Sequence, residues 1–475
     1  MVVKPLYLAG TFRKTNKTVA IKNPYDDAVV AEVAQAGKKE IDRAIQAATD
    51  SFPETRSMEP FERKRVLDRC VLGMKDRAEE FAKTLTLENG KTIREARGEV
   101  ARAISTFEFA ASLSWSTEGE AYDGGITEAS RGRRILVRRF PIGPISAIAP
   151  FNFPLNLAAH KIAPAIAVGC PVVLKPASKT PLSSLLFCEI LHETNWPKGA
   201  FSCLPCDRDA GQMLVEDERI KLLSFTGSPA VGWQMKKDAG KKKVVLELGG
   251  NAALIIDRGE HDWDRIIERM VTGAFYQCGQ SCISVQRIYV HEDIYNEVKK
   301  RFVEAAQKLI VGDPLKEATS MGPLIDQKNS DRISEWIQEA EEQGATVLTG
   351  NRAQGTVMQP TVMEHVGGDA KLETEEVFGP VANLHKVSSI AEATTRVNDS
   401  KFGLQVGVFS NNFDSIQYIF NHCDVGGVIV NDVPSYRVDH MPYGGIKDSG
   451  LGREGIKYAM RDMTEEKAMV YFSHF

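Results

Sequence analysis

No stretch of the 475 residues reaches the roughly 18 uninterrupted apolar positions that a membrane-spanning helix needs. The opening MVVKPLYLAGTFRKTNK also lacks the apolar core of a secretion leader, so a cytoplasmic protein is expected. Eight cysteines are too few and too scattered for a disulfide scaffold, which fits a reducing compartment. Neither sign of charge dominates: 59 basic residues face 63 acidic ones. With no basic stretch interleaved with aromatics, nucleic acid is excluded as the main partner, and Lys241 to Lys243 read as a solvated approach to a strand. The nine histidines are dispersed and no His, Cys and carboxylate set has metal-ligand spacing, so no metal is expected. Internal repeats and low-complexity tracts are missing as well.

What is present describes a chain long enough for two or three domains with ordinary globular composition. Helical and extended patterns alternate, which predicts α/β layering around a largely parallel sheet. In DRISEWIQEAEEQG the apolar residues Ile333, Trp336, Ile337 and Ala340 share one helical face, with Ser330 placed to cap the start and Gly344 the end. Ile294, Val298, Phe302, Ala305 and Leu309 form a second stripe. The short apolar runs at 145–149, 171–175, 221–225, 243–248 and 253–256 read as buried strands. Two segments break the alternation: RILVRRF at 134–140, after the turn DGG, and KAMVYFSHF at the end. They read as β excursions, either pairing with another chain or tucked onto the same one.

Chemistry concentrates in a few loops. FYQCGQSCISVQR sets Cys282 after Gly279, Gln280 and Ser281, small and polar residues that let backbone approach a bound molecule. A lone cysteine is more often a small buried hydrophobe, and Cys278 beside it reads as packing. In VVLELGGN, Glu247 ends a strand and must reach water, pair with a cation, or serve as a tuned base. Asn152 follows the strand ISAIA at a carboxyl end, where open α/β sheets bind ligands and an amide can donate to an oxyanion; as a lone loop residue it also suits a turn. SFTGSPAVG brings Gly227, Ser228 and Gly232 to a strand–turn–helix junction suited to a diphosphate, without the GxGxxG fingerprint. The pair Cys203 and Cys206 has CxxC spacing, but no helix starts at the first cysteine, so packing is favoured over redox chemistry.

Taken in order, PFNFPLN, LKPAS, FTGS, LELGGN, GQSC, EEVFGP and MPYGGIKDSGLGREG resemble the NAD(P)-dependent aldehyde dehydrogenase superfamily over nearly the whole chain. The similarity extends to members acting on lactaldehyde, glyceraldehyde phosphate (non-phosphorylating) or phosphonoacetaldehyde. The resemblance implies that Cys282 attacks the aldehyde carbon and that the oxyanion sits between Asn152 and the Cys282 N–H. After hydride transfer to the nicotinamide, Glu247 activates the water that hydrolyses the thioester. It implies Ile148, Pro150 and Phe151 beside the nucleotide, Lys175 on the adenosine ribose, Ser228 on the diphosphate, and Glu376 with Phe378 at the nicotinamide ribose. Ser178, Gly211, Phe225, Gly227, Val231, Leu248 and Gly249 complete the implied cofactor set. NAD-preferring members usually carry Glu where this chain has Ser178. Its loss removes repulsion against a 2′-phosphate that Lys175 and Lys179 could attract, so NADP is expected, with NAD as the alternative.

Ser281 stands where succinate-semialdehyde-type members usually have Arg, which argues against that substrate and for another small polar or anionic aldehyde. Arg437, His160 and Arg102 are the candidate anion contacts; pairing of Arg437 with Asp439 and solvation of the other two on helix faces are the plain alternatives. The fold implied is aldehyde dehydrogenase-like: a Rossmann-type cofactor domain (1–122 and 142–246), an α/β catalytic domain (247–448) and a β oligomerisation arm (123–141 and 460–475). In the family this arm pairs subunits, so a homodimer or homotetramer is expected. Competing readings are a coenzyme A-acylating relative, against which Glu247 argues, a non-catalytic protein on the same scaffold, and a thiol oxidoreductase using Cys203 and Cys206.

Overall fold

A computed structural model describes residues 3–116 and 118–472. Its largest sheet runs, edge to edge, through Gly450–Leu451, Lys243–Glu247, Leu222–Thr226, Ile145–Ile148, Val172–Lys175, Phe201–Cys203, Leu6–Leu8 and Thr11–Arg13. The five strands from Lys243–Glu247 to Phe201–Cys203 are parallel, and both neighbours outside them are antiparallel. These five are the short Val- and Leu-rich runs of the sequence, apolar on both faces because helices cover both. The chain leaves Ile145–Ile148 in one direction for Val172–Lys175 and Phe201–Cys203, then returns to its other side for Leu222–Thr226 and Lys243–Glu247. The carboxyl ends at Ile148 and Thr226 therefore flank a switch point, the place where open α/β sheets leave a crevice.

A second sheet of seven strands has the order Thr346–Thr349, Thr361–Glu364, Val381–Val387, Arg287–His291, Ala253–Ile256, Gln405–Phe409 and Gly427–Val430, parallel except for its first edge. Only residues 248–252 separate Lys243–Glu247 of the first sheet from Ala253–Ile256 of the second. The LGGN turn is thus the covalent seam between two cores.

The two anomalous segments pair with each other. Thr464–Phe472 runs antiparallel to Arg133–Pro141, from Thr464 opposite Pro141 to Phe472 opposite Arg133, and Glu120–Asp123 lies on the other side. Residues 473–475 of the C-terminal run lie outside the described residues. Met469, Val470 and Tyr471 are about half exposed on the outer strand of this sheet.

Local readings needed correction at helix ends. Asp326, not Ser330, caps the helix Gln327–Glu342 by accepting from Asn329 N–H, and Ser330 is buried in its first turn. The polar first turn QKN carries no apolar periodicity, which hid the true start. The helix Tyr295–Gln307 likewise excludes Ile294 and Leu309, and buries Ala306 more fully than Ala305.

Candidate active site

A cavity of about 630 Å³ opens at the switch point and reaches the seam between the sheets. Ile148 to Phe153 line it at the carboxyl end of one strand, and Phe225 to Ser228 at the end of the next; Cys282, Glu247 and Asn152 line the same cavity.

Cys282 follows a tight turn in which Gln277 and Cys278 take φ of 56° and Gly279 of 68°. A side chain on Gly279 would strike the carbonyl of Gly379, so the turn can press against the EEVFGP segment only with glycine there. The backbone is tied down by Glu95, whose carboxylate accepts from Gln277 N–H at 2.7 Å, while the Gln277 amide reaches Asn89 at 2.6 Å. Gly250 closes the other side: a Cβ there would lie 2.5 Å from the Cys282 carbonyl oxygen. The Cys282 thiol faces the cavity, partly exposed but with little bulk water around it. Burial pushes it up to about 12, against a hydrogen bond to Tyr443 that lowers it.

Asn152 is held by the fully buried pair Lys91 and Glu99. Lys91 Nζ donates to the Asn152 carbonyl at 2.9 Å, and Glu99 accepts from the N–H groups of Leu155 and Asn156. One amide N–H of the Asn152 side chain goes to the Gln280 carbonyl at 3.0 Å, which leaves the second for a ligand.

Glu247 is only 3% exposed, so the solvent-facing alternative does not hold. Neither carboxylate oxygen has a hydrogen-bond partner among the described residues. Burial, then the negative charge of Glu454, raises its pKa well above the ordinary glutamate range; Arg437, Lys161 and Arg453 oppose them without prevailing. Behind it, Lys161 donates to Ser224 at 3.0 Å, Thr226 at 2.8 Å and Glu454 at 3.1 Å, and Arg437 donates to the other Glu454 oxygen at 3.0 Å. Although burial works against it, Glu454 is held at about 2 by those two cations. One carboxylate is thus fixed as an anion while its neighbour is left to gain and lose a proton, the separation expected of a base.

The outer part of the cavity fits a nicotinamide dinucleotide. Ser228 starts the helix Pro229–Asp238 without using its side chain as a cap, and it lines the cavity at that helix N-terminus. Gly211 lies on the Lys175 stem, where an added Cβ would sit 3.0 Å from Cε. Gly249 makes room for the Glu376 carboxylate, which accepts from Gly250 N–H at 3.0 Å and is raised to about 7 by burial. Phe151 and Phe378 meet edge to face at 5.8 Å, with Phe378 in the left-handed region at φ 50°. Pro150, Ser178, Val231 and Leu248 also line the wall.

Three placements differ from expectation. His160 does not line the cavity: it is buried in the helix Asn156–Val168 with Nε2 2.8 Å from Asp439, because that helix is covered on every side. Arg437 is not paired with Asp439 at the surface but buried against Glu454, and Asp439 instead bonds Arg102 at 2.8 Å. Lys179 is drawn to Asp326 at 2.5 Å and does not line the cavity. Arg102, Arg437 and Ser281 do line it, and the Nε atoms of both arginines are buried without acceptors. Cys203 and Cys206 are buried thiols, Cys203 inside a strand and Cys206 beyond it, as packing requires.

Sequence reasoning missed Tyr443, Lys161, Glu454 and Arg208. The signal for Lys161 was available, since a lysine inside the apolar run NLAAHKIAPAIAV demands a buried partner. Among the described residues no helix is long and apolar enough to cross a membrane, and no group of three or more His, Cys, Asp or Glu is placed to hold a metal.

A two-sheet α/β fold with a thiol, an amide donor and an unpaired carboxylate at the end of a switch-point cleft defines an enzyme of thiol chemistry. The chain belongs to the aldehyde dehydrogenase family, whose profile matches residues 12–469. It is 40% identical to a 3-sulfolactaldehyde dehydrogenase of Priestia megaterium over 98% of this chain and 97% of that one. It is also 35% identical to a lactaldehyde dehydrogenase of Methanococcus aeolicus, over 96% and 97%. Among solved structures, aldehyde dehydrogenase 21 of Physcomitrella patens, in complex with its reaction product succinate, aligns with a TM-score of 0.98 at 49% identity, covering 99% and 98% of the two chains. Glyceraldehyde-3-phosphate dehydrogenase GapN of Methanocaldococcus jannaschii, complexed with NADP, aligns at 0.91 and 35%, covering 97% and 100%.

Proposed function

We propose that this chain oxidises a small anionic aldehyde to its carboxylate through a covalent adduct on Cys282, with NADP preferred over NAD. The observation that carries this is the meeting of Cys282, Glu247 and Asn152 in one cavity with Arg102 and Arg437, each with a buried Nε lacking an acceptor. Cys282 attacks the carbonyl carbon, and the Asn152 amide and Cys282 N–H hold the oxyanion that forms. The cofactor, when bound, supplies the hydride acceptor. Glu247 then removes a proton from the water that cleaves the thioester, and its raised pKa makes its carboxylate a stronger base.

The substrate class follows from the arginines. Relatives are named for sulfolactaldehyde, lactaldehyde and sulfoacetaldehyde, and the moss structure for the product succinate. Succinate semialdehyde, which Ser281 argued against, therefore returns to the set to be tested. A panel of succinate semialdehyde, sulfolactaldehyde, lactaldehyde and hexanal should be turned over with the anionic members favoured in kcat/KM. Arg102→Ala should raise KM about tenfold or more for the anions and little for lactaldehyde, as loss of a charge-assisted hydrogen bond demands. Hexanal as the best substrate, or an equal effect on all four, would refute the reading.

The cofactor preference gains support from a residue the sequence did not suggest. Arg208 lines the cavity with Lys175 and Ser178, with no ion-pair partner among the described residues. Arg208→Ala is expected to raise KM for NADP about tenfold or more and leave KM for NAD nearly unchanged. Equal shifts for both cofactors would remove Arg208 from this role. We also assign the three-stranded sheet around Arg133–Pro141 to subunit pairing, through the exposed apolar side chains at 469–471, in a homodimer or homotetramer.

A further inference from the structure

The nearest polar neighbour of the thiol is not the proposed base. Cys282 Sγ lies 3.0 Å from the Tyr443 hydroxyl, and among the described residues that hydroxyl makes no other hydrogen bond. Tyr443 is mounted firmly. Its backbone forms a two-way antiparallel bridge with Glu454, Tyr443 N–H to Glu454 O at 3.0 Å and Glu454 N–H to Tyr443 O at 2.6 Å. The guanidinium of Arg437 lies 3.7 Å from the centre of its ring and is anchored to the Glu454 carboxylate. The ring is buried, and Gly444 after it leaves room for Glu247, whose Oε1 would sit 3.0 Å from an added Cβ. A cation stacked on a phenol also draws electron density from the ring and makes its O–H a stronger donor.

We propose that Tyr443 is a further catalytic residue, whose hydroxyl donates a hydrogen bond to the Cys282 thiolate and governs how readily the nucleophile forms. This rests on Cys282 being the nucleophile. When the S–H bond breaks, the proton passes to water and out to solvent and the bonding pair stays on sulfur; Tyr443 keeps its own proton and directs it at that pair. On attack, the pair becomes the C–S bond and the carbonyl π pair becomes the oxyanion at Asn152, so the sulfur is then a poor acceptor. Tyr443 therefore favours the thiolate over the adduct. It raises the amount of nucleophile and lowers the reactivity of each thiolate, since thiolate nucleophilicity falls with basicity with a slope of roughly 0.4–0.5. The other charged groups facing the thiol are Glu376, Arg437 and Glu247, and the test leaves all three in place.

The test is the pH–rate profile, from pH 6 to 10, for iodoacetamide alkylation of the full-length protein, with Cys282 modification followed by mass spectrometry. Tyr443→Phe should cut the thiolate fraction about tenfold. With intrinsic reactivity up about threefold, the rising limb should move about half a pH unit upward, a net loss of about threefold at a fixed pH. Site-specific 3-fluorotyrosine and 3,5-difluorotyrosine at position 443, progressively stronger donors, should raise the rate at pH 7 in that order; they also serve if the Phe variant does not fold. An unshifted profile in Tyr443→Phe, or fluorotyrosines without a graded effect, would overturn the proposal and leave Tyr443 a packing role. Labelling that bypasses Cys282 would instead overturn the assignment of the nucleophile.

Discussion

Cys282→Ala is expected to abolish aldehyde oxidation, lowering kcat by roughly 10⁴-fold or more, with NADPH binding unchanged. The size follows from the chemistry: an aldehyde is a poor hydride donor, and without sulfur no alkoxide forms to expel the hydride. Asn152 and the Cys282 N–H would still polarise the carbonyl, so a residual rate above background is expected. Binding should survive because the cofactor wall, from Ile148 to Phe151 and from Phe225 to Val231, lies on other loops. Steady-state NADPH formation and a titration of bound NADPH together check this. Retention of a tenth of the activity would reassign the nucleophile, and Cys278, buried behind the turn with its thiol pushed up by burial, could not replace it.

Glu247→Gln separates the two halves of the reaction. The glutamine fills the same volume but cannot take a proton, so Cys282 should still be acylated while hydrolysis falls about 10²- to 10⁴-fold. Rapid mixing should show a burst of one NADPH per active site, followed by a slow steady state. The wild-type acid limb of kcat should lie above the ordinary glutamate range, because Glu247 must lose a proton to act and burial opposes that loss. Stability should move the opposite way. A carboxyl whose folded pKa is raised costs stability as pH climbs above its unfolded value, since the unfolded chain releases the proton first. Glu247→Gln should therefore raise Tm at pH 7 to 8 and leave it nearly unchanged below pH 4. A variant with no burst, or with a lower Tm at neutral pH, would count against Glu247 as an uncompensated base.

The parallel strands were legible because they are short apolar runs; Asn152 follows one such run, Glu247 ends another, and Cys282 stands beyond the glycine turn that closes a helix. The charge network behind them was not. Lys161 and Glu454 meet across 293 residues, and Cys282 and Tyr443 across 161. No local pattern reports contacts at such distances. His160 misled for the same reason: on the sequence it is a polar residue on a helix, and only the covering of that helix on every side shows it to be a buried partner of Asp439. Arg437 has a near acid in Asp439 and a far one in Glu454, and the isolated bridge between Tyr443 and Glu454 decides for the far one.

The two-residue strand Gly450–Leu451 seals the edge of Lys243–Glu247, and Thr464–Phe472 completes the sheet around Arg133–Pro141. Both closing pieces are synthesised after the strands they cover. The strand that carries Glu247 must wait about two hundred residues of synthesis for its outer neighbour, at an elongation speed of roughly 5–20 residues per second. Until then that edge presents backbone N–H and C=O groups that its later neighbour must cover.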